Sequence, residues 1–296
     1  MITRVVAVTL ALVLVLASPA LAVEIPSSPD GTVRAVAEGI ASGHPEVLWQ
    51  ALPPSYQTDL NELTRLVADT VDPQLWDAAF ATARRAAATL AIKKDIILAS
   101  STLQQSGAVG DDLDSGWDAA IAVLDAVCSS EISTTAGLKT VDWERYLATT
   151  GADIVERARS ASEDDGNSPL DDLRRTRIEL VSVDGERAVV RMTRPDGEPE
   201  DQELVRVEER WVPAEMAEGW DTRMDEARER LSNVTDEERM QMSTQGMMFL
   251  GMADGFLQQL EAVESPEQFD QMVAALVGPF LGGMQEAMGE EMVEPE

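Results

Sequence analysis

Histidine and cysteine are almost missing from this 296-residue chain, which has one of each, His44 and Cys128. A lone cysteine excludes an intramolecular disulfide. A lone histidine excludes zinc sites built on two or more histidines, and neither H-E-x-x-H nor G-x-S-x-G occurs. Lysine is scarce as well: Lys93, Lys94 and Lys139 are the only three. Basic residues number 23 against 54 acidic ones, a net charge of −31. Such a field repels nucleic acid and anionic membranes, so nucleic-acid binding is set aside. The acidic stretch "DDLDSGWD" at 111–118 does not form a calcium loop, because Gly116 and Val123 stand where oxygen ligands are required. No cofactor motif is found, and no cofactor or metal is expected.

One long apolar run stands at the N-terminus. "MITRVVAVTLALVLVLASPALA" has Arg4 in a polar head, an apolar stretch from Val5 to Ala17, and Ala20-Leu21-Ala22 as an A-x-A cleavage site. This pattern predicts a cleaved secretory signal over residues 1–22 and a mature chain beginning near Val23. Arg4 is the one charged residue removed, leaving 22 − 54 = −32. The expected location is periplasmic or extracellular, with no stable membrane span after cleavage.

Hydropathy patterning predicts an α+β chain, mainly helical, with an antiparallel strand meander near 176–213. Helices come before the meander, and a helical hairpin follows it. Four segments are expected: the signal (1–22), a mainly helical α+β domain (23–222), a methionine-rich hairpin (223–290) and an acidic tail (291–296). Apolar residues at three-and-four spacing mark helices from near Asp30 to Ala41 and from about Gln74 to Leu98, the second carrying Trp76, Phe80, Ala83, Ala87, Leu90 and Ile97. Helices also fit Leu113–Val127 and Val141–Ala161. His44 lies between Gly43 and Pro45, where it reads as a turn residue at the N-cap of "PEVLWQAL". Cys128 falls on the apolar side of its helix and reads as a buried small hydrophobe. Val23–Asp30, the run "SASEDDGNS" at 160–168 and the tail from Gly289 are expected to be the least ordered.

The strands read from alternation. Ala188, Val190 and Met192 share one face, and Val189, Arg191 and Thr193 the other, with Asp184-Gly185 as a hairpin signal. Eight arginines in 174–210 meet ten acids, which favours cross-strand ion pairs over an anion site.

"VRAVAEGIASGHPEVLWQALPPSYQTDL" followed, over a hundred residues later, by a meander ending in "VRVEERWVP" resembles the opening helices and closing strands of nuclear-transport-factor-two-like domains. The resemblance covers residues 30–60 and 174–213. It departs from the usual pattern at Glu208-Glu209, where an Asp-Gly turn is the norm. It implies a cone-shaped α+β fold that serves isomerases, cyclases, dehydratases and pure binding modules alike.

Methionine is what the chain has in excess. Eleven of its 13 methionines lie from Met216 onward. Thr235-Asp-Glu-Glu238 and Ser265-Pro-Glu-Gln268 are capping boxes that start two helices. The first carries a stripe of Phe249, Met252, Phe256, Leu260 and Val263, the second Phe269, Met272, Val273, Leu276, Phe280 and Met284. The stripes are expected to face each other or a shared surface of the core. Adaptable thioethers suit a core or a groove for a partner; Cu(I) ligation by Met240, Met242, Met247 and Met248 is the alternative use of sulfur.

Two functions follow. The first is an exported, non-catalytic protein that binds a partner protein or a small apolar ligand. Its candidate contacts are Met248, Met252, Phe256, Met272 and Phe280 on the hairpin, and Trp49, Tyr56 and Trp211 in the sheet concavity. The second is a cone-type isomerase or lyase with a carboxylate base in an aromatic-lined pocket. The lack of histidine and of any catalytic motif favours the first.

Overall fold

The computed structural model describes residues 25–105, 111–162, 169–195 and 197–275. The signal segment, the acidic tail, most of "SASEDDGNS", Leu276, Phe280 and Met284 lie outside the described residues. The protein is α+β and predominantly helical, with one four-stranded antiparallel sheet of order β1-β2-β3-β4.

The chain opens with α1 (Pro29–Ala41). Ser28 caps it by accepting from the Gly31 amide, and Pro29 occupies the first turn, where its missing N–H costs nothing. Residues 25–30 are tied down rather than loose. Ile25 is buried, and the Ser27 carbonyl accepts from Trp211 Nε1 at 2.8 Å. At the far end of α1, Arg159 and Arg174 both donate to the Ala41 carbonyl, at 3.0 and 2.9 Å, satisfying an orphan acceptor at the negative end of the helix dipole.

A short α2 (Val47–Ala51) and then α3 (Pro54–Thr70) follow. Asp72 accepts from the Gln74 and Leu75 amides and starts α4 (Pro73–Leu98), the first long strut. Beyond α5 (Ser101–Gln105), α6 (Asp111–Cys128) packs back along α4, with Lys94 paired to Asp118 near its start. A 3₁₀ turn (Glu131–Ser133), α7 (Thr135–Thr140) and α8 (Trp143–Ser162) complete this layer. Tyr146, Leu147, Ile132, Leu138, Val141, Ala152 and Ala68 form its main core. Each large side chain buried there contributes roughly 1.5–3 kcal/mol of apolar transfer. Cys128 is buried as expected, and burial pushes its thiol pKa up.

After α9 (Pro169–Arg175) comes the meander: β1 (Arg177–Asp184), β2 (Arg187–Thr193), β3 (Glu200–Val207) and β4 (Arg210–Pro213). Ala188 and Val190 are buried with Ile178, Leu204 and Trp211 against Ala37 and Val33 of α1, which is the face that alternation predicts. On the opposite face Arg191 holds Asp201 bidentately across the strands, at 2.6 and 2.7 Å, and Arg194 lies 3.8 Å from Glu200, whereas Arg175 and Arg206 pair with acids three residues away. The β3–β4 turn is Glu208-Glu209 with φ of 47° and 67°. Two positive φ values define the twist-matched hairpin turn normally made by Asn-Gly, and here neither residue is glycine. Glu208 offsets part of that strain, because its carboxylate accepts from the Ser55 amide at 3.0 Å and caps α3.

The chain then passes α10 (Ala214–Ala217) and α11 (Trp220–Ser232) to α12 (Asp236–Ala262), and residues 266–275 are again helical.

Candidate functional site

The second strut, α12, begins with the capping box foreseen from sequence. Thr235 Oγ1 accepts from the Glu238 amide at 3.2 Å, and the Glu238 carboxylate accepts from the Thr235 amide at 2.8 Å. Those hydrogen bonds hold the Glu238 carboxyl below its ordinary pKa.

Contacts with α4 climb both helices together. Gly246 meets Leu75, Arg85 reaches Asp254, Thr89 donates to Glu261, and Lys93 Nζ donates to the Val263 carbonyl at 2.7 Å. The two helices are therefore parallel. A Cβ at position 246 would stand 2.6 Å from Leu75 Cδ1, so any larger residue there requires the Leu75 side chain to move. Arg85 grips Glu261 bidentately at 2.7 and 2.8 Å, lowering the glutamate pKa and raising that of the arginine. At the top, Leu260, Val263, Phe269 and Met272 bury together with Ile97, flanked by Phe256 and Val273. Asp270 locks the end of this layer, accepting from Ser100 Oγ, Ser101 Oγ and the amides of Ser101 and Thr102, at 2.5 to 3.1 Å.

Only the upper half of the expected hairpin stripe is thus a packed seam. The lower half is not. Met240 is 71% exposed, Met248 and Phe249 65% each, and Met252 59%. Met242 and Met247 are exposed as well. The reason is the choice of partner: α12 rests its Gly246 face on α4 instead of turning Phe249 and Met252 toward the following helix. From Met240 to Ala253 no residue is charged. At 100° per residue, Met248 and Met252 point outward, Met240 and Met247 lie on one flank, and Met242 and Phe249 on the other. Gln241, Thr244 and Gln245 share the outward side with Met248 and Met252, so this face mixes thioethers with uncharged polar groups, and the described residues cover only the Gly246 side of the helix.

The copper alternative loses its geometry here. Met240 and Met242 are two residues apart on a helix, so their sulfurs leave on nearly opposite sides, and Met247 and Met248 diverge by about 100°. Among the described residues there is also no cluster of three or more His, Cys, Asp or Glu side chains that could hold a metal.

The aromatic candidates do not converge. Trp49 packs against the Tyr146 core. Tyr56 is buried and stacks on Trp220 with ring centroids 3.9 Å apart and planes 9° from parallel. Trp220 Nε1 in turn donates to Asp59 at 2.7 Å, and Arg228 also binds Asp59. Burial raises the Tyr56 hydroxyl pKa, helped by nearby Asp221. Trp211 is buried in the α1 cluster. A cavity of about 330 Å³ does open beside the β3–β4 turn, lined by Ile25, Ser27, Pro54, Arg206, Glu208, Glu209 and Arg210. None of the three candidate aromatics reaches it.

His44 is more than a turn. It is not the cap of α2, because Glu46 occupies that position. The Glu46 side chain is 1% exposed, and its Oε1 lies 3.3 Å from His44 Nδ1, while the imidazole is 37% exposed. Neither Glu46 oxygen makes a hydrogen bond of good geometry, and neither does His44 Nδ1. Among the described residues, His44 is the one basic side chain within 4 Å of this buried carboxylate. Sequence reading missed Glu46 because nothing distinguishes it among 54 acidic residues.

No protein-family profile, curated protein or solved structure matches this chain.

Proposed function

We propose that the protein is an exported binding protein that holds a partner against the methionine-rich outer face of α12. One observation carries this reading: fourteen consecutive uncharged residues, Met240–Ala253, on a helix whose apolar side chains stand in solvent in a chain of net charge −31. Exposed apolar patches of this kind mark interaction sites, and unbranched, polarisable methionine fits surfaces of varied shape. Export is supported by the pattern of residues 1–22, and none of the described helices is long and apolar enough to cross a membrane.

The test uses the mature chain and the double variant Met248→Asp/Met252→Asp. An environment-sensitive apolar dye is expected to brighten with the natural protein and not with the variant, while both keep the same helical circular dichroism. Equal dye response from both proteins would place the apolar binding surface elsewhere.

A further inference from the structure

We infer that the partner for the methionine face is a basic amphipathic helix. This rests on the docking reading above and adds the chemistry of the occupant.

Length comes first. The exposed Met240, Met242, Met247, Met248, Phe249 and Met252 are spread over a rise of roughly 18 Å, more than three helical turns, which matches an amphipathic helix laid along α12 with anchors at i, i+3 or i+4, and i+7. An extended strand needs an unpaired sheet edge for its backbone, and a helix has none to offer. Charge decides the rest. Arg239 is the only cation in α12, and its guanidinium is already turned to the Val234 and Asp69 carbonyls. Glu237, eleven residues before Met248, comes round to within about 20° of the same direction. It is exposed, as is Asp236 beside it. Beyond this rim the whole molecule carries −31. A cationic helix is drawn in by that field and loses none of its charge to a competing arginine. An anionic membrane, or a second copy of this chain, meets repulsion at the same distance.

Isothermal titration at 0.15 M salt tests the inference with three 18-residue synthetic helices. All share one leucine stripe and differ on the polar face, which is lysine, glutamine or glutamate. The lysine peptide is expected to bind at least tenfold more tightly than the glutamine peptide, and the glutamate peptide not at all. Met248→Asp/Met252→Asp should lose the lysine peptide by tenfold or more. That variant is two charges more negative, so attraction by charge alone would strengthen instead. Met248→Gln/Met252→Gln gives the same loss without the added charge and serves if the aspartate variant fails to fold. Unchanged or tighter binding by these variants overturns the inference. Equal affinity for the lysine and glutamine peptides overturns the basic partner and leaves the docking face standing. Failure of every peptide, together with no dye response, removes both. A dimer in light scattering that the double variant dissolves assigns the face to a second copy of the chain and also overturns it.

Discussion

Replacing Leu260 by alanine and replacing Met248 by aspartate should have opposite outcomes, although both residues are apolar and lie on one helix. Leu260 is 1% exposed and packs with Ile97, Val263, Phe269 and Met272. Truncating it removes three carbons from a site bounded by two helices that are fixed by Arg85–Glu261 and by Asp270, so the space cannot close easily. The expected cost is about 3 kcal/mol, near the middle of the range for buried leucine. For a chain of this size each kcal/mol moves the melting temperature by roughly 2–4 °C, so Leu260→Ala should melt about 6–12 °C lower. Met248 buries little on folding, because 65% of its surface stays in water. Met248→Asp should stay within about 0.5 kcal/mol of the natural protein. Differential scanning calorimetry on the three proteins decides the matter. If Met248→Asp melts as low as Leu260→Ala, the outer face of α12 is core, and the docking argument fails with it.

Four further outcomes are expected. His44→Ala should cost about 1–3 kcal/mol in urea unfolding, because the buried Glu46 carboxylate loses the imidazole beside it; His44→Ala/Glu46→Leu should regain most of that, and a neutral single variant would contradict the pairing. Asp270 is held well below the usual carboxylate range by donors from Ser100, Ser101 and Thr102. A depressed native pKa gives stability that is present above the unfolded carboxyl value of about 3.9 and is lost as pH falls below it. The natural protein should therefore lose stability more steeply than Asp270→Asn on acidification through that window, and parallel pH profiles would contradict this. Glu209→Gly should raise the melting temperature by a few degrees, since φ is 67° there and the side chain makes only a 3.9 Å approach to Arg206; a fall would show that the turn is not strained. Cys128 should be silent to a thiol reagent at pH 8 until the protein is unfolded, as read by absorbance.

Much of the architecture was legible because it rests on local chemistry. Thr235 announced α12 by its capping box. The alternation of Ala188, Val190 and Met192 named the inner face of the sheet. The packing partner of α12 was not legible. Gly246 and Leu75 are over 170 positions apart, and no periodicity within either helix states that they touch. The stripe through Phe249 and Met252 looked like a seam because spacing reports which residues share a face, not whether that face is covered. Glu46 stayed hidden for a related reason: a glutamate two residues from a histidine reads as surface until the fold buries it.

The Asp270 clasp bears on the order in which the molecule can be completed. It joins Ser100–Thr102 to a side chain some 170 positions downstream, and Arg85 and Lys93 wait equally long for Glu261 and Val263. A chain that emerges N-terminus first from a ribosome holds α4 without its strut until residues 254–270 arrive. Closing so long a loop is slow and entropically costly. The seam between the two struts is therefore the last part of the described fold to be completed, and α4 keeps its upper face open until then.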